Sequence, residues 1–103
     1  MTLENKTILI TGAARRLGKA IALACAQSGA DIILHYHTSE QEAEETCQAI
    51  KALGRRCWLI QTDLADSSAV ESLIPRAVAF SEIYALVNNA SIFHPIKFGE
   101  TTL

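Results

Sequence analysis

The residues best suited to chemistry lie in a glycine-containing turn between Thr11 and Gly18. An apolar run, Ile8 to Ile10, precedes this turn, and a helical pattern follows it. Gly12 permits a tight turn, and Gly18 lets the following helix pack closely on the sheet. The free N–H groups and the positive dipole end at the start of a helix favour an anion. The turn therefore predicts a phosphate site, although a turn with only a backbone role could carry the same glycines.

A second group of polar side chains, His35 to Ser39, follows the next apolar run. An NAD-selective site usually has a carboxylate here that bonds the ribose 2′-hydroxyl. This stretch contains no Asp or Glu, and Asp31 lies at the opposite end of the run. Two imidazoles, His35 and His37, stand here instead. With Arg16 as a charged fork and Ser39 beside a helix start, they would suit a 2′-phosphate. We therefore predict NADP(H) as the cofactor, while each histidine could also be a surface residue at the end of a strand.

Two further polar groups, Asp63-Leu64 and Asn88-Asn89-Ala90-Ser91, follow the third and fourth apolar runs. At the carboxyl edge of a sheet, Asp63 would lie near an adenine amino group and Leu64 against the ring. The alternative for Asp63 is an Asx turn or a helix cap. The asparagines could contact the cofactor, tie adjacent strands together, or do both.

The elements that must position these residues alternate along the chain. Strands are predicted at 7–11, 31–37, 56–61 and 83–88, from apolar and β-branched runs. Helices are predicted from about 15 to 28, from Ser39 to Gly54, and from Asp66 or Ser67 onward. Ser39 with Glu42, and Ser68 with Glu71, are candidate capping boxes. Pro75 predicts a kink or an early break in the third helix, and residues 89–103 a loop with room for the start of another helix.

Apolar residues at three- and four-residue spacing predict which face of each helix is buried. In the first helix these residues are Leu17, Ala20, Ile21, Ala24 and Cys25, and in the second they are Ala43, Cys47, Ile50 and Ala52 or Leu53.

The order β-α-β-α-β-α-β with short connections predicts the α/β class: a Rossmann-type doubly wound parallel sheet with helices on both faces. We expect one NADP(H)-binding domain over residues 1–103. In the strand order 3-2-1-4-5-6 the fourth strand is internal, yet little chain follows it here. Its far edge, around Leu86 and Val87, would be bare. We therefore expect the N-terminal half of a larger domain, truncated after the fourth strand, or a chain that pairs with another.

Composition limits the classes of function. The chain has 103 residues, of which 50% are hydrophobic and 19% charged, which is typical of a globular protein. A net charge of -2 does not indicate general binding of nucleic acid. No apolar run is long enough to predict a membrane span. Residues 1–6 lack the layout of a signal peptide. The three cysteines match no metal motif and predict reduced thiols in a cytoplasmic protein.

Taken together, the motifs resemble those of the short-chain dehydrogenase/reductase family. The resemblance is carried by Thr11-Gly12-(x3)-Arg16-x-Gly18, Asp63-Leu64 and Asn88-Asn89-Ala90, which span nearly the whole chain. The family usually has Gly where this chain has Arg16. Arg-Leu-Gly at that place, His-Tyr-His after the second strand and Asn-Asn-Ala-Ser-x-Phe after the fourth look like the pteridine reductase branch, which uses NADPH to reduce pterins or folates.

The resemblance implies specific site residues. The cofactor site would comprise Gly12, Arg15, Arg16, Leu17, Gly18, His35, Tyr36, His37, Ser39, Asp63, Leu64, Asn89, Ala90 and Ser91. Ser91 would also reach the pterin and Phe93 would stack on it, although Phe93 could equally pack in the core. Thr38 stands where this branch often has Arg, which predicts a weaker grip on the phosphate.

The catalytic residues of the family are not found in this chain. The family uses a Tyr with a Lys four residues later, and a Ser upstream. Here Glu40 and Asn88 stand four residues after Tyr36 and Tyr84, so the family positions would fall beyond Leu103. The resemblance thus predicts the cofactor-binding half of an NADPH-dependent reductase, inactive alone, acting in a homo-oligomer on a pterin, folate or other carbonyl or imine compound. The alternative is a non-catalytic dinucleotide-binding or interaction module derived from a truncated reductase.

Overall fold

The structure is a computed structural model that describes residues 3–13 and 16–89. Four residues of the predicted site, Arg15, Ala90, Ser91 and Phe93, lie outside the described residues, as does the predicted loop that follows the fourth strand.

Strands and helices alternate through the described residues in the predicted order. They are β1 (Thr7–Thr11), α1 (Arg16–Gln27), β2 (Asp31–Tyr36), α2 (Glu40–Ala52), β3 (Cys57–Gln61), α3 (Ser67–Val78) and β4 (Ala85–Asn88). The boundaries differ from the predicted ones by no more than a few residues, as expected where strand and helix ends are defined by hydrogen bonds.

The four strands form one sheet in the order β3-β2-β1-β4, and every neighbouring pair is parallel. This is the strand order of the first half of a Rossmann-type sheet, so the predicted fold class is confirmed. The register pairs Ile10 of β1 with Leu34 of β2 and with Val87 of β4. All four strands therefore end at one edge of the sheet, and the predicted polar groups follow those ends.

Apolar side chains lie on both faces of the sheet because alternate residues of each strand point to opposite sides. On one face, Ile8, Ile10, Ile32 and Leu34 pack in a cluster with residues of α1 and α2. On the other face, Leu9, Ile33 and Ile60 pack with Leu73 and Ala77 of α3. β1 is buried along its whole length, as predicted for a strand that is covered on both sides.

The predicted buried face of α1 was wrong in part, because Ile21 and Cys25 are half-buried against the core while the other three predicted residues are exposed. Leu17 is 64% exposed, and Ala20 and Ala24 are also exposed. The buried residues are Gly18, Ala22 and Ala26, which repeat every four positions and are all small. Small residues on that stripe let the helix axis approach the sheet, whereas larger apolar side chains lie at the flanks of the contact.

α2 and α3 also depart from prediction at their ends. Ala52 and Leu53 are exposed rather than buried, since α2 ends there. Ser39 precedes α2 but its side chain makes no capping bond. In α3, Asp66 caps the helix by accepting from the N–H groups of Ser68 and Ala69, so Ser68 is not the cap. The helix continues for three residues past Pro75, so no early break occurs.

Asp31 anchors the opposite end of the sheet, as its place at the start of β2 predicts. Its side chain is 2% exposed and lies 3.1 Å from Nη2 of Arg55 and 3.0 Å from Nη2 of Arg56. Burial opposes the charge, but hydrogen bonds from the Arg56 backbone and side chain and the charges of both arginines hold the pKa of Asp31 below its ordinary value. This ion pair therefore joins β2 to the start of β3, far from the predicted cofactor.

Candidate functional site

The phosphate turn is built where β1 ends and α1 begins. Gly12 has a φ of 63°, in the left-handed region that favours glycine. Gly18 is buried beneath the turn, where an added Cβ would collide with the Gly12 carbonyl oxygen and come within 2.6 Å of Asn89 Nδ2. Both glycines are therefore required by backbone geometry, which also brings the first turn of α1 close to the strand ends.

Arg16 adopts a strained conformation at the same turn. Its φ is 56°, which costs an L-residue with a Cβ roughly 1–2 kcal/mol. This angle explains why Gly is usual at the position in the family that the chain resembles. The side chain of Arg16 is exposed, as is that of Leu17, which follows it. A strained cation at the start of a helix is a feature that often accompanies ligand binding.

The asparagines after β4 tie that strand to β1. Thr11 Oγ1 donates to Asn88 Oδ1 at 3.0 Å and accepts from the Asn89 N–H at 3.0 Å. Asn89 Nδ2 donates to the Gly12 carbonyl at 3.2 Å. The strand-tying interpretation of these residues therefore has direct geometric support, and Asn89 also fixes the phosphate turn.

His35 lies beneath the turn, with its ring buried. It is 2% exposed, its Nδ1 accepts from the Gly12 N–H at 3.0 Å, and its Nε2 is 2.8 Å from the Thr62 carbonyl. Because Nδ1 accepts, the proton is on Nε2, which donates to Thr62. Both ring nitrogens are thus engaged within the protein, so His35 is not a surface residue and its ring presents no free nitrogen to a 2′-phosphate.

The ionisation of His35 agrees with that arrangement. Burial lowers the pKa of His35, the bond to Thr62 raises it, and the charges of His37 and Arg76 lower it further, with a net shift below the ordinary value. The ring is therefore neutral at neutral pH. A neutral ring is the only form that can accept a hydrogen bond from Gly12.

Thr62 and Arg76 belong to the same network and were not predicted. Arg76 of α3 donates to Thr62 Oγ1 at 3.0 Å and to the Gln61 carbonyl at 2.9 Å. The partners lie 14 and 15 residues apart in the sequence, so no local pattern signals the contact. Helix periodicity predicts the face of α3 on which Arg76 stands, but it does not predict the residues that Arg76 contacts.

Asp63 and His37 meet at the end of β2 and β3. Asp63 Oδ1 accepts from the Ala65 N–H at 2.9 Å. This bond forms an Asx turn, which was the alternative prediction for Asp63. Its Oδ2 is 3.7 Å from His37 Nε2, and both side chains are about half exposed. Leu64 is partly buried against the α3 side of the sheet. These side chains line one stretch of the strand-end edge.

Ser39 and Tyr36 flank the start of α2. The Ser39 hydroxyl makes no capping bond, so the first N–H groups of α2 receive no bond from it. Tyr36 packs against the α1 and α2 side of the core. Burial, followed by the carboxylates of Glu40 and Glu44, raises the pKa of Tyr36, so its hydroxyl is a protonated donor at neutral pH.

The arrangement can hold an extended dinucleotide across the strand-end edge. The Gly12–Gly18 turn would receive the pyrophosphate at the N-terminus of α1. Arg16 and Ser39 would offer donors to a 2′-phosphate, and no carboxylate stands between Tyr36 and Ser39 to repel it. The residues present therefore fit NADP(H) better than NAD(H).

Other reactive groups are few in the described part of the chain. No three or more His, Cys, Asp or Glu side chains there come together in a way that could hold a metal ion. Burial raises the pKa of the Cys25 and Cys57 thiols, so both are protonated and poorly nucleophilic. Within residues 3–13 and 16–89, no helix has the length and apolar character needed to cross a membrane.

Comparison with known proteins gives a consistent result. Residues 6–103 match the family model of the short chain dehydrogenases. The chain is 40% identical over 99 residues to 3-oxoacyl-[acyl-carrier-protein] reductase FabG of Aggregatibacter actinomycetemcomitans, covering 95% of this chain and 41% of the relative. It is 38% identical over 101 residues to the short-chain dehydrogenase/reductase homolog YusS of Bacillus subtilis, covering 97% of this chain and 93% of YusS.

Solved structures show the same relation. A short chain dehydrogenase from Burkholderia cenocepacia J2315 in complex with NADP has a TM-score of 0.83 and 41% identity. The match covers 100% of this chain and 42% of the dehydrogenase chain. FolM alternative dihydrofolate reductase 1 from Brucella canis, complexed with NADP, has a TM-score of 0.81 and 35% identity, with coverage of 96% and 40%. The chain thus spans about two fifths of the length of FabG and of both structural relatives.

Proposed function

Because this chain belongs to the short-chain dehydrogenase family, we propose that it is the NADP(H)-binding half of an oxidoreductase, a single Rossmann domain over residues 1–103. One observation carries the proposal: a glycine cradle lies at the same sheet edge as a β2 end without a carboxylate. Gly12 and Gly18 make the cradle. The relatives crystallised with NADP support the choice of cofactor.

The cofactor would make its contacts in three regions. Its pyrophosphate would lie over Gly12 and Leu17, its 2′-phosphate between Arg16 and Ser39 with His37 and Tyr36 nearby, and its adenine beside Asp63 and Leu64. Asn89 would continue the site, together with Arg15, Ala90 and Ser91. NADPH would supply a hydride to the substrate. The residues of this chain would bind and orient it, and the proton donor would come from outside residues 1–103.

A calorimetric titration of the full chain with NADPH and NADH tests the cofactor assignment. We expect at least tenfold tighter binding of NADPH, since a charge-assisted contact contributes about 1.5–3 kcal/mol. Ser39→Asp should reverse this preference, because a carboxylate repels the 2′-phosphate and bonds a 2′-hydroxyl. Gln48→Asp, which adds the same charge about two and a half turns along α2, is the matched control and should leave the preference intact. Equal binding of both cofactors by the wild-type chain would contradict the assignment.

For the substrate, we propose a pterin or folate. The proposal rests on the resemblance of Arg16-Leu17-Gly18 and His35-Tyr36-His37 to the pteridine reductase branch, and FolM is described as an alternative dihydrofolate reductase. Phe93 would stack on the pterin ring and Ser91 would bond it. FabG acts on a different substrate class by its name, so the two classes can be compared directly.

Fluorescence quenching by dihydrobiopterin in the presence of NADPH measures that contact. We expect binding that weakens in Phe93→Ala and persists in Phe98→Ala, the matched control five residues along. Binding of a 3-oxoacyl thioester with no binding of the pterin would contradict the assignment to this branch.

A second candidate function is a non-catalytic binding module. The observation that favours it is the match to the short-chain dehydrogenase/reductase homolog YusS, of which this chain covers 93%. YusS is thus a relative of about the same length as this chain. A module of this kind would bind NADPH and form a homo-oligomer without turning over any carbonyl or imine compound. Neither candidate predicts turnover by residues 1–103 alone, so sedimentation of the full chain separates the two: a stable oligomer favours the module, and a chain that stays monomeric favours the half of a reductase. The free cysteines suit a cytoplasmic setting for either one.

A further inference from the structure

We propose that His35 is a positioning residue for the cofactor site, whose neutral ring couples the Gly12 turn to the Thr62–Asp63 segment. The inference rests on the proposed function, because these two segments would receive the pyrophosphate and the adenine of one cofactor. The ring itself would touch neither group, since both of its nitrogens are already bonded within the protein.

The two hydrogen bonds of the ring explain why histidine stands at this position. The Gly12 N–H needs an acceptor and the Thr62 carbonyl accepts a donor, and the buried ring supplies both at 3.0 and 2.8 Å. Only an imidazole with its proton on Nε2 has an acceptor and a donor in these two places. Loss of the ring would leave two backbone groups without their partner in a buried setting, which is costly.

The His35 ring adds a side-chain link to the backbone bonds that join the same segments, from the Ala13 N–H to the His35 carbonyl at 3.1 Å and from the Thr62 N–H to the Tyr36 carbonyl at 3.0 Å. On one side, the Gly12 carbonyl accepts from Asn89, which follows β4. On the other side, Thr62 accepts from Arg76 of α3. The ring joins these two halves through its two nitrogens, in addition to the backbone bonds between the strands. Movement at Gly12 is therefore transmitted to Thr62, and one conformation of the edge is selected for both parts of the cofactor.

A histidine with only a stabilising role would behave differently. Its removal would lower the free energy of unfolding but leave cofactor affinity unchanged at temperatures where the chain stays folded. Asp31→Asn is a matched control for that case, because Asp31 is equally buried, also hydrogen-bonded to backbone, and lies at the opposite end of the sheet.

Three variants divide the functions of the ring. His35→Asn retains an acceptor at the place of Nδ1, and His35→Gln retains a donor at the place of Nε2. His35→Leu retains neither. Each is compared with wild type and Asp31→Asn by amide hydrogen exchange at Gly12 and Thr62, by NADPH titration, and by urea unfolding of the full chain.

We expect His35→Leu to speed exchange at Gly12, whose N–H loses its acceptor. Exchange at Thr62 should rise with it only through the coupling, because the Thr62 N–H donates to the Tyr36 carbonyl at 3.0 Å and not to the ring. NADPH affinity should fall about tenfold, as two lost hydrogen bonds predict. His35→Asn and His35→Gln should each recover part of that affinity. Asp31→Asn should lose stability without a change in NADPH affinity. Faster exchange at only one of the two amides, or an affinity loss in His35→Leu no greater than in Asp31→Asn, would overturn the coupling.

The outcomes also separate this inference from the proposed function. If the wild-type chain binds no NADPH, the proposed function fails. The exchange data then still decide the coupling between Gly12 and Thr62. If the chain binds NADPH but His35→Leu binds it equally well, the positioning role fails and the proposed function stands.

Discussion

Replacement of Arg16 by glycine should make the chain more stable and its cofactor site less selective. Arg16 has a φ of 56°, in a region that glycine enters without a Cβ penalty. Its guanidinium is the charged group we assign to the 2′-phosphate. Arg16 therefore carries both the backbone strain and the proposed phosphate contact. Arg16→Gly relieves the strain and removes the contact.

The size of each effect can be worked out separately. The left-handed conformation costs a residue with a Cβ roughly 1–2 kcal/mol, and glycine loses roughly 0.5–1 kcal/mol through the extra freedom of the unfolded chain. The difference predicts a gain in unfolding free energy of about 0.5–1 kcal/mol for Arg16→Gly, or about 0.5 M in the urea midpoint. Loss of the charge-assisted contact should weaken NADPH by about 1–3 kcal/mol, which is about 5- to 150-fold.

Two further substitutions keep the effects apart. Arg16→Ala keeps the strain and removes the charge, so it should weaken NADPH as much as Arg16→Gly without any gain in stability. Arg16→Lys keeps both strain and charge but lacks the planar fork, so its NADPH affinity should be intermediate. NADH affinity should change little in all three.

Urea unfolding and calorimetric titration with both cofactors are the assays. Equal stability of Arg16→Gly and Arg16→Ala would refute the strain at this position. Equal weakening of NADH and NADPH by Arg16→Ala would refute the contact between Arg16 and the 2′-phosphate.

Three more substitutions test other parts of the structure. Gly18→Ala should destabilise the chain by about 1–3 kcal/mol in urea unfolding, because the new Cβ meets the Gly12 carbonyl; unchanged stability would contradict that packing. Asp31→Asn should lower the free energy of unfolding by about 2 kcal/mol at pH 7. This value is below that of a fully buried ion pair because solvent screens the exposed Arg56. Since the pKa of Asp31 is lower in the folded state than in the unfolded state, its contribution is complete above about pH 4 and is lost as the pH falls through the folded value. Wild type and Asp31→Asn should therefore converge in stability in acid, and parallel curves would refute the ion pair. Leu86→Lys, on an edge strand where the leucine is 53% exposed, should reduce self-association in sedimentation with a stability change within about 0.5 kcal/mol; unaltered association would place the contact elsewhere.

Local sequence patterns were sufficient for the secondary structure and its order. The apolar β-branched run at β1 and the glycine turn after it are properties of neighbouring residues, so they can be recognised without knowledge of the fold. The handedness rule for parallel crossovers then leads to a sheet with its strand ends at one edge. For the same reason Asp31 could be assigned to the end of β2 that lies away from the cofactor.

The same patterns were insufficient for the buried face of α1. Leu17, Ala20 and Ala24 share a helical face in the sequence, yet the sheet contacts Gly18, Ala22 and Ala26 instead. Helix periodicity gives several overlapping apolar faces, and the choice among them depends on how closely the helix can approach the strands. Alanine carries too weak a hydrophobic preference to decide between them.

What the sequence alone determined was the set of chemical groups at the strand-end edge and the α/β order that gathers them there, because glycine turns and apolar periodicity are local. Only the tertiary structure decided what His35 does. Its partners, Gly12 and Thr62, are 23 and 27 residues away, and a polar residue at the end of a strand can point to solvent or into the protein with no difference in the local pattern. The strain at Arg16 was likewise invisible in the sequence, since backbone angles at a turn depend on the strand and helix that it must connect.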